Sequence, residues 1–133
     1  MKNCDPRTVS NAALAYLGDA VIEICVRTRL LEEGYTSSKA LNEHARDYVA
    51  APAQAAAMER LRPHLTEEEE AVFRRGRNMG HTNTPKRATV AEYRSATGME
   101  TLFGYLYMTG QQARIDALFA LAYAKEEQNE NSL

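Results

Sequence analysis

Between Asn11 and Arg29, in NAALAYLGDAVIEICVRTR, residues Leu14, Leu17, Val21, Ile24 and Thr28 fall on one side of a helix, which predicts a core-facing stripe. Asp5-Pro6 or Ser10 supplies the start signal, and the helix is expected to run to about Glu33, with Gly34 as its C-terminal cap. A second helix, SSKALNEHARDYVAA, is capped by Thr36 to Ser38 and has a narrow apolar face of Leu41, Ala45 and Tyr48 or Val49. Pro52 either kinks it or begins a new one, and residues 53 to 62 continue helically as far as Pro63. Thr66 with Glu69 makes a capping box for a helix running through Val72 and Phe73 into Arg74, Arg75, Gly76, Arg77 and Asn78. That reading absorbs the acidic run Glu67 to Glu70, whose charges suit a first helical turn and require no metal. MGHTNTPKRATV, with Gly80 and Pro85, is expected to be an irregular mobile loop. Residues 90 to 109, VAEYRSATGMETLFGYLYMT, are apolar around nearly the whole circumference, as in a helix buried at the centre of a bundle. Gly110 ends that helix, and 111 to about 127 form a last amphipathic one through Ile115, Leu118, Phe119 and Ala122. The expected fold class is all-α, a helical bundle forming a single domain over residues 1 to 133.

Two of these helices carry an acid among small or apolar neighbours. Asp19 lies opposite the predicted core stripe, in line with Ala12, Ala15 and Glu23. Glu100 shares its stripe with Tyr93, Thr97, Gly104 and Tyr107. An Asp on a helix is ordinarily solvated. Here Gly18 precedes it inside the helix at a cost of about 1 kcal/mol relative to Ala, which points to the close approach of another backbone or a ligand. Gly98 and Gly104 permit the same beside Glu100. Carboxylates converging from different helices of a bundle are a recurrent way to hold a divalent cation, and few, hard oxygen ligands suit Mg2+. The chemistry implied is metal-assisted phosphoester cleavage on a polyanion.

Composition and charge sharpen this picture. The chain has no Trp and only 7 Gly and 4 Pro in 133 residues, which favours helices over a sandwich or barrel. Its formal net charge of -2 argues against nucleic acid until the distribution is considered. Arg74, Arg75, Arg77, Lys86, Arg87 and Arg94 lie between residues 72 and 94 against Glu92 alone, the footprint of a phosphate-backbone binder. Cys4 and Cys25 lack metal-ligand spacing and are expected as free thiols of a reducing compartment. No stretch approaches the roughly 18 apolar residues that span a bilayer, and the amino end lacks a signal-peptide run, so a cytoplasmic protein with no membrane contact is expected.

The residues singled out above resemble a known family. NAALAYLGDAV, Asn11 to Val21, is similar to the signature helix of ribonuclease III endonuclease domains, and ETLFG, Glu100 to Gly104, to their second acidic motif. ALAYLGDAV, FRRGRN and YRSATGMETLFGYLY, in that order and spacing, resemble Mini-ribonuclease III, the short branch lacking a double-stranded RNA-binding domain, over nearly the whole chain. The resemblance implies a ribonuclease III-like helical bundle and a Mg2+-dependent endoribonuclease that cleaves double-stranded RNA and matures the ends of large-subunit (23S) ribosomal RNA precursor. It implies Asp19 and Glu100 as the catalytic, metal-binding pair and Tyr16 as a dimer contact. Two further signature-helix acids of the longer enzymes fall at Ala12 and Ala15, and a third at Thr97, which leaves the metal count open. A ribosomal protein as accessory partner is left open as well.

Cutting both strands of a duplex calls for two sites, which a two-fold homodimer provides. Tyr16, Ile22 and Val26, near the Asp19 face, are expected to gain from burial at that interface. Arg74, Arg75, Arg77, Asn78, Lys86 and Arg87 suit duplex RNA, which is read through its shape, phosphates and 2′-hydroxyls. Two other classes account for part of the pattern. An all-α nucleotide pyrophosphohydrolase needs acid pairs at helical spacing on more than one helix, and only Asp19 with Glu23 qualifies. A nonenzymatic, ribosome-associated RNA-binding module would use Asp19 and Glu100 as ion-pair partners of Arg94 or Arg27.

Overall fold

The computed structural model describes residues 5–79 and 88–124. Among them are six α-helices: α1 (Asn11–Glu32), α2 (Ser38–Val49), α3 (Ala51–Leu61), α4 (Glu67–Arg77), α5 (Val90–Met108) and α6 (Gln112–Ala122). Single 3-10 turns precede α1 and α4 at Pro6–Thr8 and Arg62–His64. The caps explain most boundaries. Ser10 accepts from the Ala13 N–H at 3.0 Å and Ser37 from Ala40 at 3.1 Å. Thr66 with Glu69 and Thr89 with Glu92 each close a reciprocal capping box. Gly34 and Gly110 follow α1 and α5 with φ of +100° and +73°, a conformation that favours glycine at a helix end. Pro52 begins α3 rather than kinking α2, because Ala50 between them is extended.

α5 is the central helix, packed by α1, α3, α4 and α6. Met99, Leu102, Phe103 and Leu106 of α5 are fully buried, and they belong to one core with Ile22, Val26 and Leu30 of α1, Met58 and Leu61 of α3, Phe73 of α4, and Ile115 and Leu118 of α6. α2 lies at the margin. Its Leu41, Ala45, Tyr48 and Val49 are only partly buried against that core.

Two sequence expectations are corrected. The buried face of α1 is rotated from the predicted stripe: Leu14 and Val21 point inward, but Ile24 is 66% exposed and Thr28 is exposed, while Ile22 and Val26 are fully buried. Ile22 therefore lies in this chain's own core and is no candidate for an intersubunit contact. α1 has apolar side chains on more than one face, and its orientation is settled by Gly18, which turns toward α5. α6 ends at Ala122 instead of near residue 127, because Arg60 of α3 donates to the Ala122 carbonyl and Arg29 of α1 to that of Tyr123. The loop expected around Gly80 to Pro85 lies mostly outside the described residues, as do Lys86 and Arg87. No helix among the described residues is long and apolar enough to cross a membrane.

Candidate active site

Asp19 and Glu100 come from separate helices and meet at one point. Gly18 presses against the Glu100 carbonyl where α1 crosses α5, so the next residue of α1 brings its carboxyl beside that of Glu100. Asp19 is exposed and Glu100 half-buried. Burial first, and then the charge of Asp19 and the hydrogen bond with it, push the Glu100 carboxyl up to about 8. Two acids in contact and only partly solvated cannot both ionise without cost. Near neutral pH the Glu100 carboxyl therefore keeps its proton.

The carboxyls lie in an open depression of about 250 Å³ lined by Ala12, Ala15, Tyr16, Met79, Tyr93 and Thr97 as well. Ala12, Ala15 and Thr97 are the positions where acids of the longer enzymes were expected to fall. The Thr97 hydroxyl donates to the Tyr93 carbonyl at 3.0 Å, one turn back along α5. No group of three or more His, Cys, Asp and Glu that could hold a metal occurs among the described residues. Neither Asp19 nor Glu100 forms a salt bridge among them. Arg27 is bonded instead to Glu23 at 3.2 Å, and Arg94 is exposed. A structural ion pair with Arg94 or Arg27 is therefore absent among the described residues, and Glu23 faces a different groove, away from Glu100. Two adjoining carboxyls, one exposed and one half-buried, with no cationic side chain of the described residues beside them, fit a divalent ion.

The arginine run divides. Arg74 is bonded to Glu70, which also takes Arg62 at 2.6 Å. Arg75 is exposed and feels the Tyr105 hydroxyl, which donates to Glu68. Arg77 lies over the Phe73 ring and donates to the Asn78 side chain, and Asn78 directly precedes Met79, which lines the depression. Met79 and Tyr93 were missed as site residues by the sequence reading. Met79 carries no chemical signal of its own, and only the return of α4 toward α5 brings it there. Tyr16 is 85% exposed at the rim, on a stripe with Ala20 and Ile24. Next to that stripe an apolar groove of about 170 Å³ is lined by Leu17, Ala20, Ile24, Cys25 and Tyr107. Burial pushes the Cys25 thiol up to about 11, which leaves it unsuited to be a nucleophile.

Residues 12–111 match the model of the ribonuclease III domain. The chain is 48% identical to the Mini-ribonuclease 3 of Symbiobacterium thermophilum, with 92% of this chain and 94% of the relative covered. It is 41% identical to the Mini-ribonuclease 3 of Brevibacillus brevis, with 90% of each covered. Among solved structures, a Fusobacterium nucleatum protein superposes with a TM-score of 0.83 at 28% identity, over 92% of this chain and 100% of that one.

Proposed function

Because the chain belongs to the ribonuclease III family, in its Mini-ribonuclease 3 branch, and is an endoribonuclease, we propose that it cleaves double-stranded RNA with Mg2+ held by Asp19 and Glu100. The observation that carries this reading is the contact between those two carboxyls in an open depression where no cationic side chain of the described residues pairs with them. When bound, such a cation supplies Lewis-acid polarisation of the scissile phosphate and an acidified water. The protein's part is to present two ionised carboxylates from helices that hold their separation. Glu100 would have to release its proton to hold the ion, and a bound cation's charge would favour that release at neutral pH.

Arg77 and Asn78 lead directly to the depression, so phosphates flanking the cut have a cationic partner there, and the sequence offers Lys86 and Arg87 for the same kind of contact. Arg74 and Arg75 extend the same surface along α4. Incubation with duplex RNA, with and without Mg2+, tests the reading: cleavage only with the metal is expected. A shift of the RNA without cutting would leave a binding module, and turnover of nucleoside triphosphates would leave a pyrophosphohydrolase. By the resemblance that named the family, the substrate is the precursor of large-subunit ribosomal RNA.

The working form is a homodimer, because one site cuts one strand. Tyr16, Ile24 and Tyr107 are large apolar side chains exposed on the α1 and α5 surface next to the site, and they support a two-fold contact there. Ile24→Asp, at an exposed position, should leave the fold intact, halve the mass seen by light scattering and leave duplexes nicked rather than cut through. A monodisperse dimer of this variant would place the interface elsewhere.

A further inference from the structure

α1 and α5 touch backbone to backbone. A Cβ added to Gly18 would lie 1.7 Å from the Glu100 carbonyl oxygen and 2.8 Å from the Gly104 nitrogen. One added to Gly104 would lie 2.0 Å from the Leu14 carbonyl oxygen. Real Cβ atoms do not come so close, and the obstacles are main-chain atoms that no rotamer change clears. The carbonyl against Gly18 belongs to Glu100 itself, and Asp19 follows Gly18 directly. The contact that sets the helix separation is thus one residue or less from each carboxylate.

We infer that Gly18 and Gly104 are positioning residues of the active site: their interlock fixes the separation of the Asp19 and Glu100 carboxylates at a value that one shared divalent cation requires. The inference rests on the metal reading above and adds that the spacing is set by main-chain contact, which side-chain adjustment does not restore. The α4–α5 crossing offers an internal comparison. There a Cβ on Gly76 would meet Thr101, its hydroxyl at 2.2 Å and its Cβ at 2.5 Å, and the Gly98 Cα at 3.1 Å, a contact between α4 and α5 that leaves the α1–α5 separation untouched.

The test measures Mn2+ binding by calorimetry and steady-state cleavage of duplex RNA, at temperatures where circular dichroism shows each variant folded. Gly18→Ala and Gly104→Ala should weaken Mn2+ binding by roughly tenfold or more and lower kcat while leaving KM for RNA unchanged. Gly76→Ala should lower the unfolding midpoint and leave Mn2+ affinity as it was. A folded Gly18→Ala or Gly104→Ala with unaltered Mn2+ affinity overturns the inference. Should neither fold, Asp19→Glu decides, since its side chain is exposed and its fold is not in question. On a locked crossing the added methylene weakens Mn2+ binding and cleavage, whereas wild-type values would mean that the helices slide to accommodate it. Unmodified protein that binds no Mn2+ would remove the metal reading itself, a result distinct from failure of the interlock.

Discussion

Replacing Glu100 by Gln is expected to abolish cleavage of duplex RNA and, at the same time, to raise the unfolding midpoint measured in chelator at pH 8. The loss follows from the role of the carboxylate. A metal's stabilisation of developing charge is worth several kcal/mol, which corresponds to a fall of about 10³-fold or more in rate. The gain follows from the pair's electrostatics. Burial and the charge of Asp19 hold the Glu100 proton up to about 8, so the native protein binds that proton more tightly than the unfolded chain. The stability contribution is then fully present below the ordinary glutamate pKa and declines as pH rises from there toward 8, where the native pair must either keep its proton or carry two adjacent charges. Gln has no proton to lose and can still donate to Asp19, so the variant should gain roughly 2 kcal/mol or more at the upper end of that window and little at pH 4. Asp19→Asn should lose cleavage to the same degree, and both variants should retain RNA binding in gel-shift assays. A Glu100→Gln protein that is less stable than the parent in chelator, or that still cuts at near-parental rates, would show that the carboxylate serves the fold and not the chemistry.

Arg114→Ala should cause a large loss of stability at a distance from the site. Glu69 is 5% exposed, and Arg114 of α6 reaches it from two nitrogens at 2.8 and 2.9 Å while also donating to the His64 carbonyl. Glu69 accepts from the Thr66 N–H as well, so one carboxylate closes the capping box of α4 and anchors α6 to it. Removing the guanidinium strands a buried charge, at a cost of about 3–5 kcal/mol and a fall on the order of 10 °C in the unfolding midpoint. The bonds from Arg114, and then those from Thr66, hold the Glu69 carboxyl below its ordinary value. Its stabilising contribution is therefore present above the unfolded-chain pKa and lost as pH falls through the lower native one. The parent should lose stability steeply on acidification below about pH 4.5, whereas Arg114→Ala should show a flatter profile. Equal midpoints for the two proteins at pH 7 would mean that the bidentate contact contributes nothing.

Much of this architecture can be read along the chain because it depends on neighbours in sequence. Ser10, Ser37 and Thr66 cap helices by bonding residues three positions on, and Gly34 and Gly110 end them by their own conformational freedom. α5 stands out as central because its apolar residues recur around nearly the whole circumference. Gly18 and Gly104, beside acids in apolar helices, mark a close crossing, and that crossing is where Asp19 and Glu100 meet. The rotation of α1 could not be read in the same way. Ile22, Ile24 and Val26 are almost interchangeable in hydrophobicity, and choosing between burial and exposure takes knowledge of which side of the helix meets α5. The end of α6 was likewise hidden, since the arginines that close it come from α1 and α3, 94 and 62 residues away in sequence.

The sequence by itself determined the helices, their caps, their order and the identity of the two acids, since each depends on residue type and on spacing within a turn or two. Tertiary structure alone decided which face of α1 is buried, where α6 stops, that Glu69 and Arg114 lock α4 to α6, and that Met79 and Tyr93 line the depression beside Asp19 and Glu100. The physical reason is range. Backbone hydrogen bonding and helical periodicity act over three or four residues, whereas burial, charge pairing and the raised proton affinity of Glu100 exist only once distant segments are packed against each other.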